Sequence, residues 1–152
     1  MIEGVIVKDL DLYADERGWL TELVRSDELP GGFEPAMSYL SMTIPGTVRG
    51  PHEHKEQTDY FCFVGPSDFR VYLWDNRDGS HTRGERQVFV AGVGQPRIVV
   101  VPPGVVHAYK NIGEVDGLVF NSPDRLYRGE GKSEEVDEIR HESDKDSAFI
   151  VD

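Results

Sequence analysis

Short apolar runs separated by polar turn residues make up most of the chain, and no long segment keeps the apolar repeat of an amphipathic helix. Runs of this kind, bounded by glycine, proline, asparagine and aspartate, predict strands. One strong turn signal is Asp75-Asn76-Arg77-Asp78-Gly79-Ser80. The predicted strands cover residues 5–8, 19–23, 37–43, 60–63, 69–74, 86–90, 97–101, 106–111 and 117–121. The pattern is typical of an all-β sandwich or barrel.

Length and composition predict a single domain over residues 1–152. The 152 residues are enough for one hydrophobic core, and the 16 glycines and 9 prolines suit a fold with many turns. We expect the core to lie between about residues 4 and 127. Residues 128–152 hold nine acidic and four basic side chains, which predicts a short, acidic, mostly irregular C-terminal tail or helical cap on the surface.

The formal net charge of −12 argues against nucleic acid or an anionic membrane as a partner, because both would be repelled. The N-terminus has no basic segment followed by a long apolar run, and no part of the chain approaches the ~18 apolar residues of a membrane span. We therefore expect a cytoplasmic protein. The single cysteine, Cys62, excludes an intrachain disulfide and fits a strand as a small core residue.

Candidate chemistry is concentrated between residues 49 and 59. His52, His54 and Asp59 lie within eight residues, and each can transfer a proton or bind a metal ion. Side chains two apart in a strand point the same way, so His52 and His54 share a face, and a bend can return Asp59 towards them. A lone histidine here is more often an ordinary polar residue on a sheet surface. A second motif at residues 102–111 favours a functional site over that interpretation.

The two motifs resemble those of the cupins. The first motif, G-x5-H-x-H-x3,4-E-x6-G, is matched by Gly46, His52, His54 and Asp59, with aspartate in place of glutamate. The second, G-x5-P-x-G-x2-H-x3-N, is matched in its last four positions by Pro102, Gly104, His107 and Asn111. This resemblance implies an all-β cupin double-stranded β-helix, or jelly roll. It also implies one cavity lined by His52, His54, Asp59 and His107.

Further segments resemble the dTDP-4-dehydrorhamnose 3,5-epimerase family of cupins, from about residue 4 to about 127. The similar segments are Asp15-x-Arg17-Gly18-Trp19-x-x-Glu22, Gly46-Thr47-Val48-Arg49-Gly50-Pro51-His52, Gln57, Pro102-x-Gly104-x-x-His107-Ala108-Tyr109 and Tyr127. The resemblance implies an isomerase that acts on a dTDP-4-keto-6-deoxyhexose in carbohydrate biosynthesis, needs no cofactor and forms a homodimer. Short members described as epimerase-related are the most similar.

Each matched position has an implied role. His52 would be the general base that removes a proton next to the sugar ketone, a task that suits a group titrating near neutrality. Tyr127 would return a proton from the opposite face. Arg17 and Arg49 would bind the diphosphate through paired guanidinium donors. The remaining residues implied to contact substrate are Glu22, His54, Gln57, Asp59 and His107.

Some positions depart from the family pattern. Asp59 stands where the family has a lysine, and a carboxylate opposes the negative charge of an enolate. Met37 and Tyr39 replace polar residues of the epimerases. The carboxylate that should orient the catalytic histidine has no clear counterpart, and Asp144 and Asp146 are the candidates.

Three alternatives remain open. Arg49-Gly50-x-His52-x-His54-Lys55 also resembles the dTDP-sugar 3,4-ketoisomerases, in which a histidine pair moves protons between neighbouring carbons. The second alternative is a metal-dependent enzyme. Its divalent transition metal would be bound by His52, His54, Asp59 and His107, since imidazoles and a carboxylate suit iron, manganese, nickel or zinc. A metal-bound His52 cannot also be the base. The third is a non-catalytic sugar-nucleotide binding module.

Overall fold

Two five-stranded antiparallel sheets face each other in the computed structural model, which describes residues 1–152. The first sheet has the order β1-β9-β6-β11-β4, with strands Ile6–Asp9, Arg97–Val101, Asp59–Gly65, Gly117–Asn121 and Tyr39–Thr43. The second has the order β12-β5-β10-β7-β8, with strands Ile139–Arg140, Val48–Glu53, Val105–Asn111, Asp68–Asp75 and Arg86–Gly92. A separate hairpin pairs β2 (Tyr13–Asp15) with β3 (Gly18–Leu20).

The inward faces of the two sheets enclose the main hydrophobic core. Alternate side chains of the central strands point into it, and thirteen buried apolar residues form one cluster there. Within it, Tyr109 meets the rings of Phe61, Phe63 and Phe69 edge-on, at centroid distances of 5.5–5.9 Å. This packing fills much of the interior, and the buried polar residues Asp59, His107 and Asn121 lie beyond it on the same inward faces.

Chain segments outside the strands cover the outer faces. Phe33, Leu23 and Leu29 pack on an outer cluster of the first sheet that contains the fully buried Cys62. Burial raises the pKa of the Cys62 thiol to about 12, so this residue is the core side chain that was predicted. Phe149 and Val151 cover the corresponding cluster on the second sheet.

A β-bulge in β5 determines which residues of the first motif point into the space between the sheets. His107 pairs with His52 and Tyr109 pairs with Arg49, so β5 has one extra residue between the two pairs. Paired residues lie on the same side of a sheet, and Arg49 and His52 therefore both face inward. Gly50, with φ of 84°, forms the bulge, and a Cβ atom there would lie 2.5 Å from the carbonyl oxygen of His107. Only glycine fits this position.

The predicted all-β jelly roll is confirmed, and the strands Arg97–Val101 and Gly117–Asn121 have the predicted bounds. The sequence pattern missed β2 and β12 as strands because they have three and two residues and little apolar character. Residues 128–152 are mostly irregular, as predicted, but they are not simply solvated. Ile139 and Arg140 pair with Glu53 and His52 of β5, and this pairing places the C-terminal segment beside the candidate site. No helix is long and apolar enough to cross a membrane.

Candidate active site

Both sheets contribute to a cluster of three histidines and one aspartate. His52 and His107 are paired residues on β5 and β10, and their ring centroids are 4.4 Å apart. His54 follows β5 directly, and its carbonyl oxygen accepts a hydrogen bond from the Gly104 N–H at 2.9 Å. Asp59, the first residue of β6, reaches the same place from the opposite sheet. The structure therefore brings together the four residues that the two motifs contributed.

Asp59 is the centre of the cluster and is almost completely buried, at 1% exposure. Its Oδ1 accepts hydrogen bonds from Gln57 Nε2 at 2.9 Å and from Asn121 Nδ2 at 2.8 Å. Its Oδ2 lies 3.2 Å from both His54 Nε2 and His107 Nε2. Burial alone would raise the pKa of Asp59, but the adjacent imidazoles outweigh it and hold that pKa well below its usual range. The group is therefore a carboxylate.

His54 is a cation at neutral pH. Burial lowers its pKa, but the Asp59 carboxylate at 3.2 Å, together with Asp137, raises it to about 9. The Nδ1–H of His54 donates to the carbonyl oxygen of Asp137. The Asp137 carboxylate in turn accepts the backbone N–H groups of Lys55, Glu56 and Gln57 at 2.9–3.0 Å, which fixes the loop after His54.

The protonation state of His52 is the opposite of that of His54. Burial and then the charges of the neighbouring His107 and His54 lower its pKa to about 2, so its imidazole is neutral. Its Nδ1 lies 3.8 Å from Oε1 of Glu138, and both side chains are mostly buried, at 17% and 16% exposure. Nε2 is then the nitrogen that remains to accept a proton. A neutral histidine beside a carboxylate has the geometry of a general base. A pKa of about 2 is, however, far below the neutral range that suits proton transfer, so the base role rests on this geometry and not on the pKa.

The cluster also has the composition of a metal site. Ligand nitrogens of His52, His54 and His107 lie within 4.8 Å of one another. The Nδ1–H of His107 donates to the carbonyl oxygen of Val105 at 3.1 Å, which leaves Nε2 facing Asp59. Asp59 Oδ2 and His107 Nε2 are buried, and their 3.2 Å contact lacks the geometry of a directed hydrogen bond. These residues therefore fit a transition metal ion.

Polar side chains from β4, β5 and β10 form the wall next to the cluster. The Tyr39 hydroxyl accepts a hydrogen bond from Asn121 Nδ2 at 2.9 Å. Ser41 Oγ and Tyr109 Oη share a hydrogen bond of 3.3 Å. Arg49 donates from Nε to Thr43 Oγ1 at 2.8 Å and from a terminal nitrogen to the Met42 carbonyl at 2.7 Å. The wall thus offers hydroxyl groups and one guanidinium to a ligand.

Three predicted site residues do not reach this cluster within one chain. Arg17 lies in the exposed β2–β3 hairpin, where its 84% exposed side chain contacts Asp15. Glu22 pairs with Arg25 at 2.9 Å, beside the outer face of the first sheet. Tyr127 is 53% exposed, and only its N–H is engaged, by Met37 Sδ. The hairpin that carries Arg17 pairs only with itself, and the role of Arg17 in diphosphate binding stays a prediction.

Sequence reasoning missed Glu138, Asp137, Tyr39 and Asn121. Asp144 and Asp146, the candidates for orienting the histidine, are both exposed, and the Asp144 carboxylate accepts the backbone N–H of Asp146 in a turn. The carboxylate that lies near His52 is Glu138. From the sequence alone, Glu138 cannot be distinguished from the other acidic residues of the C-terminal segment. The pairing of β12 with β5 in the structure places it near His52. A weak signal for Asn121 was available, since an asparagine that ends an apolar strand is an uncommon core residue.

The fold and the histidine–carboxylate cluster define a cupin-type jelly roll with a candidate acid–base site. Residues 13–130 match the family described as "Polysaccharide biosynthesis C-terminal domain". The chain is 41% identical over 136 residues to a protein of Haloferax volcanii named "Probable low-salt glycan biosynthesis epimerase Agl13". The aligned residues make up 88% of this chain and 86% of the relative. The chain belongs to this polysaccharide biosynthesis family.

Solved structures agree with the resemblance found in the sequence. A dTDP sugar isomerase from Desulfovibrio desulfuricans G20 has a TM-score of 0.83 and 25% identity, over 95% of this chain and 87% of that one. A dTDP-6-deoxy-D-glucose-3,5-epimerase from Legionella pneumophila, in complex with dTDP-4-keto-L-rhamnose, has a TM-score of 0.77 and covers 91% of this chain and 73% of its own. At 19% identity this second likeness shows the fold alone. The predicted resemblance to dTDP-sugar epimerases and isomerases, and with it the isomerase class, is confirmed by the dTDP sugar isomerase and by the Haloferax volcanii relative.

Proposed function

We propose that this protein acts on a dTDP-4-keto-6-deoxyhexose by removing a proton from the carbon next to the ketone, as a sugar-nucleotide epimerase. The observation that carries the proposal is the pair formed by His52 and the mostly buried carboxylate of Glu138, 3.8 Å apart. The epimerase name of the Haloferax volcanii relative supports the same chemistry.

His52 is the proposed general base. Its neutral imidazole takes the proton at Nε2, and the C–H electron pair forms the double bond of an enolate. The imidazolium that results is stabilised by Glu138 at Nδ1, in the way that a buried carboxylate supports a catalytic histidine. Tyr127 is the proposed donor on the opposite face.

Arg49 and Arg17 are the proposed ligands of the nucleotide diphosphate. Arg49 is at the pocket and faces inward, whereas Arg17 is not at the pocket of its own chain. Each charge-assisted contact contributes about 1.5–3 kcal/mol, so Arg49→Ala should weaken dTDP binding by about tenfold or more. Equal affinity of the variant and the native protein in calorimetry would refute this role.

We propose that the protein is a homodimer. Leu40, Met42 and Ile44 are exposed along and just after β4, the edge strand of the first sheet, at 62%, 49% and 55%. An exposed edge of this kind is normally covered. The hairpin that carries Arg17 is the segment we propose to pair with the partner's edge. Light scattering should give a particle of twice 17.1 kDa, and a particle of 17.1 kDa at micromolar concentration contradicts the dimer. The cytoplasmic location stays a prediction.

The test of the proposed reaction is exchange of solvent deuterium into a dTDP-4-keto-6-deoxyhexose, followed by NMR. The native protein should introduce deuterium next to the ketone, and the NMR spectrum of the product separates epimerisation from movement of the ketone. His52→Asn should abolish exchange, because an amide nitrogen cannot accept the proton, while dTDP still binds. Exchange that continues in His52→Asn would show that another group is the base.

A metal-dependent enzyme is the second candidate, favoured by the buried Asp59 Oδ2 and His107 Nε2, which have no directed hydrogen bond. His52, His54, His107 and Asp59 would hold the ion, which would supply Lewis-acid polarisation of a substrate oxygen. Metal content of the purified protein, measured with activity before and after chelation, separates the two candidates. Exchange that persists in metal-free protein and in His107→Ala favours the base. Loss of activity on chelation, with recovery on adding one equivalent of metal, favours the ion.

A further inference from the structure

The inward face of β4 carries three hydroxyl groups, and one of them has a free proton. Ser41 Oγ meets Tyr109 Oη at 3.3 Å and the Val119 carbonyl at 3.4 Å, and Thr43 Oγ1 accepts from Arg49 at 2.8 Å. The Tyr39 hydroxyl accepts from Asn121 at 2.9 Å and donates to no group of the protein.

Asn121 fixes the direction of this hydrogen bond. Its Oδ1 accepts the backbone N–H of Tyr60 at 2.9 Å, and a backbone N–H can only donate. The amide nitrogen must therefore be the atom that faces both Asp59 Oδ1, at 2.8 Å, and the Tyr39 oxygen. Both amide protons are used in these two bonds. Tyr39 is held as an acceptor, and its own proton is left for a ligand.

Tyr39 also keeps that proton at any physiological pH. Burial, followed by the negative charge of Asp59, raises the pKa of the phenol to about 12. The residue is also open to solvent, at 42% exposure. A neutral phenol with a fixed oxygen and an unused O–H is a preorganised hydrogen-bond donor.

We propose that the Tyr39 hydroxyl donates a hydrogen bond to the oxygen of the substrate's reacting carbonyl group. The inference rests on the proposed function and adds the group that stabilises its intermediate. As His52 Nε2 takes the proton, the C–H electron pair forms the carbon–carbon double bond, and the carbonyl oxygen gains the negative charge. Tyr39 keeps its proton throughout and strengthens its hydrogen bond as that charge develops.

The placement of Tyr39 fits this role better than that of any other group in the cluster. It belongs to the first sheet and His52 to the second, so base and donor approach from opposite walls of the pocket. The lysine of the resembled epimerases is replaced here by Asp59, whose oxygens are occupied by Gln57, Asn121 and the two imidazoles. Of the side chains that contact Asp59 directly or through Asn121, Tyr39 is the one with an unused O–H.

The test compares Tyr39→Phe with the native protein in the deuterium-exchange assay. Removing one oxyanion donor lowers kcat by about 10²–10³-fold in enzymes with this type of stabilisation, and we expect a loss of that size. KM and the affinity for dTDP should stay within about twofold, since the hydrogen bond strengthens only as charge develops. Tyr72→Phe is the matched control, because Tyr72 lies on the outer face of the second sheet and its hydroxyl bonds to Asp152.

Two results would overturn the inference while leaving the proposed function intact. One is a Tyr39→Phe variant that exchanges as fast as the native protein. The other is an equal loss in Tyr39→Phe and Tyr72→Phe, which would show a general effect of removing a tyrosine hydroxyl. Absence of exchange in the native protein with every 4-keto sugar nucleotide supplied would instead overturn the proposed function, and this inference with it.

Discussion

Two histidines separated by one residue have opposite protonation states in this protein. His54 contacts Asp59 and Asp137, and these groups raise its pKa to about 9 in spite of burial. His52 is mostly buried and has a carboxylate only at 3.8 Å, and burial followed by the two neighbouring imidazoles lowers its pKa to about 2. The partner that the fold supplies to each ring therefore decides its role. His54 neutralises Asp59, and His52 stays free to accept a proton.

The carboxylate of Glu138 should matter for exchange and not for binding. Two opposite charges about 4 Å apart interact by at most about 4 kcal/mol near a protein surface, and solvent reduces this at a partly exposed pair. We expect Glu138→Gln to slow deuterium exchange about 10- to 100-fold, because the imidazolium of His52 loses its counter-charge. NMR measures the exchange, and calorimetry should show unchanged affinity for dTDP.

Glu142→Gln is the matched control for Glu138, since Glu142 is exposed in the same segment and only its backbone N–H, which donates to Pro51, is engaged. It should exchange at the native rate. An equal effect of the two variants, or no effect of Glu138→Gln, would remove Glu138 from the proposed dyad.

The composition of the histidine cluster could be predicted from sequence, but its surroundings could not. His52, His54 and Asp59 lie close together in the chain, and strand alternation with the second motif brings in His107. Glu138 enters through a two-residue strand that no periodicity indicates. Tyr39 lies in a predicted strand, but its free proton depends on an amide more than eighty residues away, and only the folded chain places that amide.

At the scale of elements, the C-terminal segment acts as part of the site. Its strand β12 pairs with β5, and the N–H groups of His141 and Glu142 both donate to the Pro51 carbonyl. On the outer side, His141 Nε2 lies 2.8 Å from the buried Glu53, which also accepts from Asn76. Acidic composition led to the expectation of a surface tail, because composition does not reveal which carboxylates find partners.

Asp137 should be the residue of this segment most important for stability. Its carboxylate accepts three backbone N–H groups of the loop between β5 and β6, and Asp137→Ala would leave them to water. Hydrogen bonds to a charged group contribute about 1.5–3 kcal/mol each, and water replaces part of this in an exposed loop. We expect a loss of about 2 kcal/mol, or about 4–8 °C in melting temperature for a chain of this size.

Thermal unfolding followed by circular dichroism measures this change, with Glu135→Ala as the control. Glu135 is exposed two residues before Asp137, and its side chain makes no hydrogen bond or ion pair, so its variant should melt with the native protein. If Asp137→Ala also melts at the native temperature, the loop between β5 and β6 is held by other contacts.

At the scale of the whole molecule, the two sheets divide the site between them. The second sheet supplies His52 and His107, and the first supplies Tyr39, Asp59 and Asn121. Asp59, His107 and Asn121 are buried between the two sheets, at 1%, 3% and 0% exposure. Such a buried cluster couples the stability of the entire fold to pH.

The sign of that coupling follows from the two histidines. Below pH 6.5 the unfolded chain binds a proton at His52 that the folded chain does not, so stability falls as the pH is lowered. Between pH 6.5 and about 9 the folded chain keeps a proton on His54 that the unfolded chain has released, so stability falls as the pH rises. Their joint contribution is therefore greatest near pH 6.5. Asp59, whose pKa is lowered, adds to the loss at acid pH.

Melting temperature of metal-free protein should accordingly peak near pH 6.5 and decline towards pH 9. The rise in the pKa of His54 from 6.5 to about 9 corresponds to an upper limit of about 3 kcal/mol, or about 10 °C. His54→Gln should melt lower than the native protein at pH 6.5, and the difference should shrink as the pH approaches 9. His81→Gln, in an exposed loop after β7, should follow the native curve throughout. A His54→Gln curve parallel to the native one over this range would show that His54 is not the cation that neutralises Asp59.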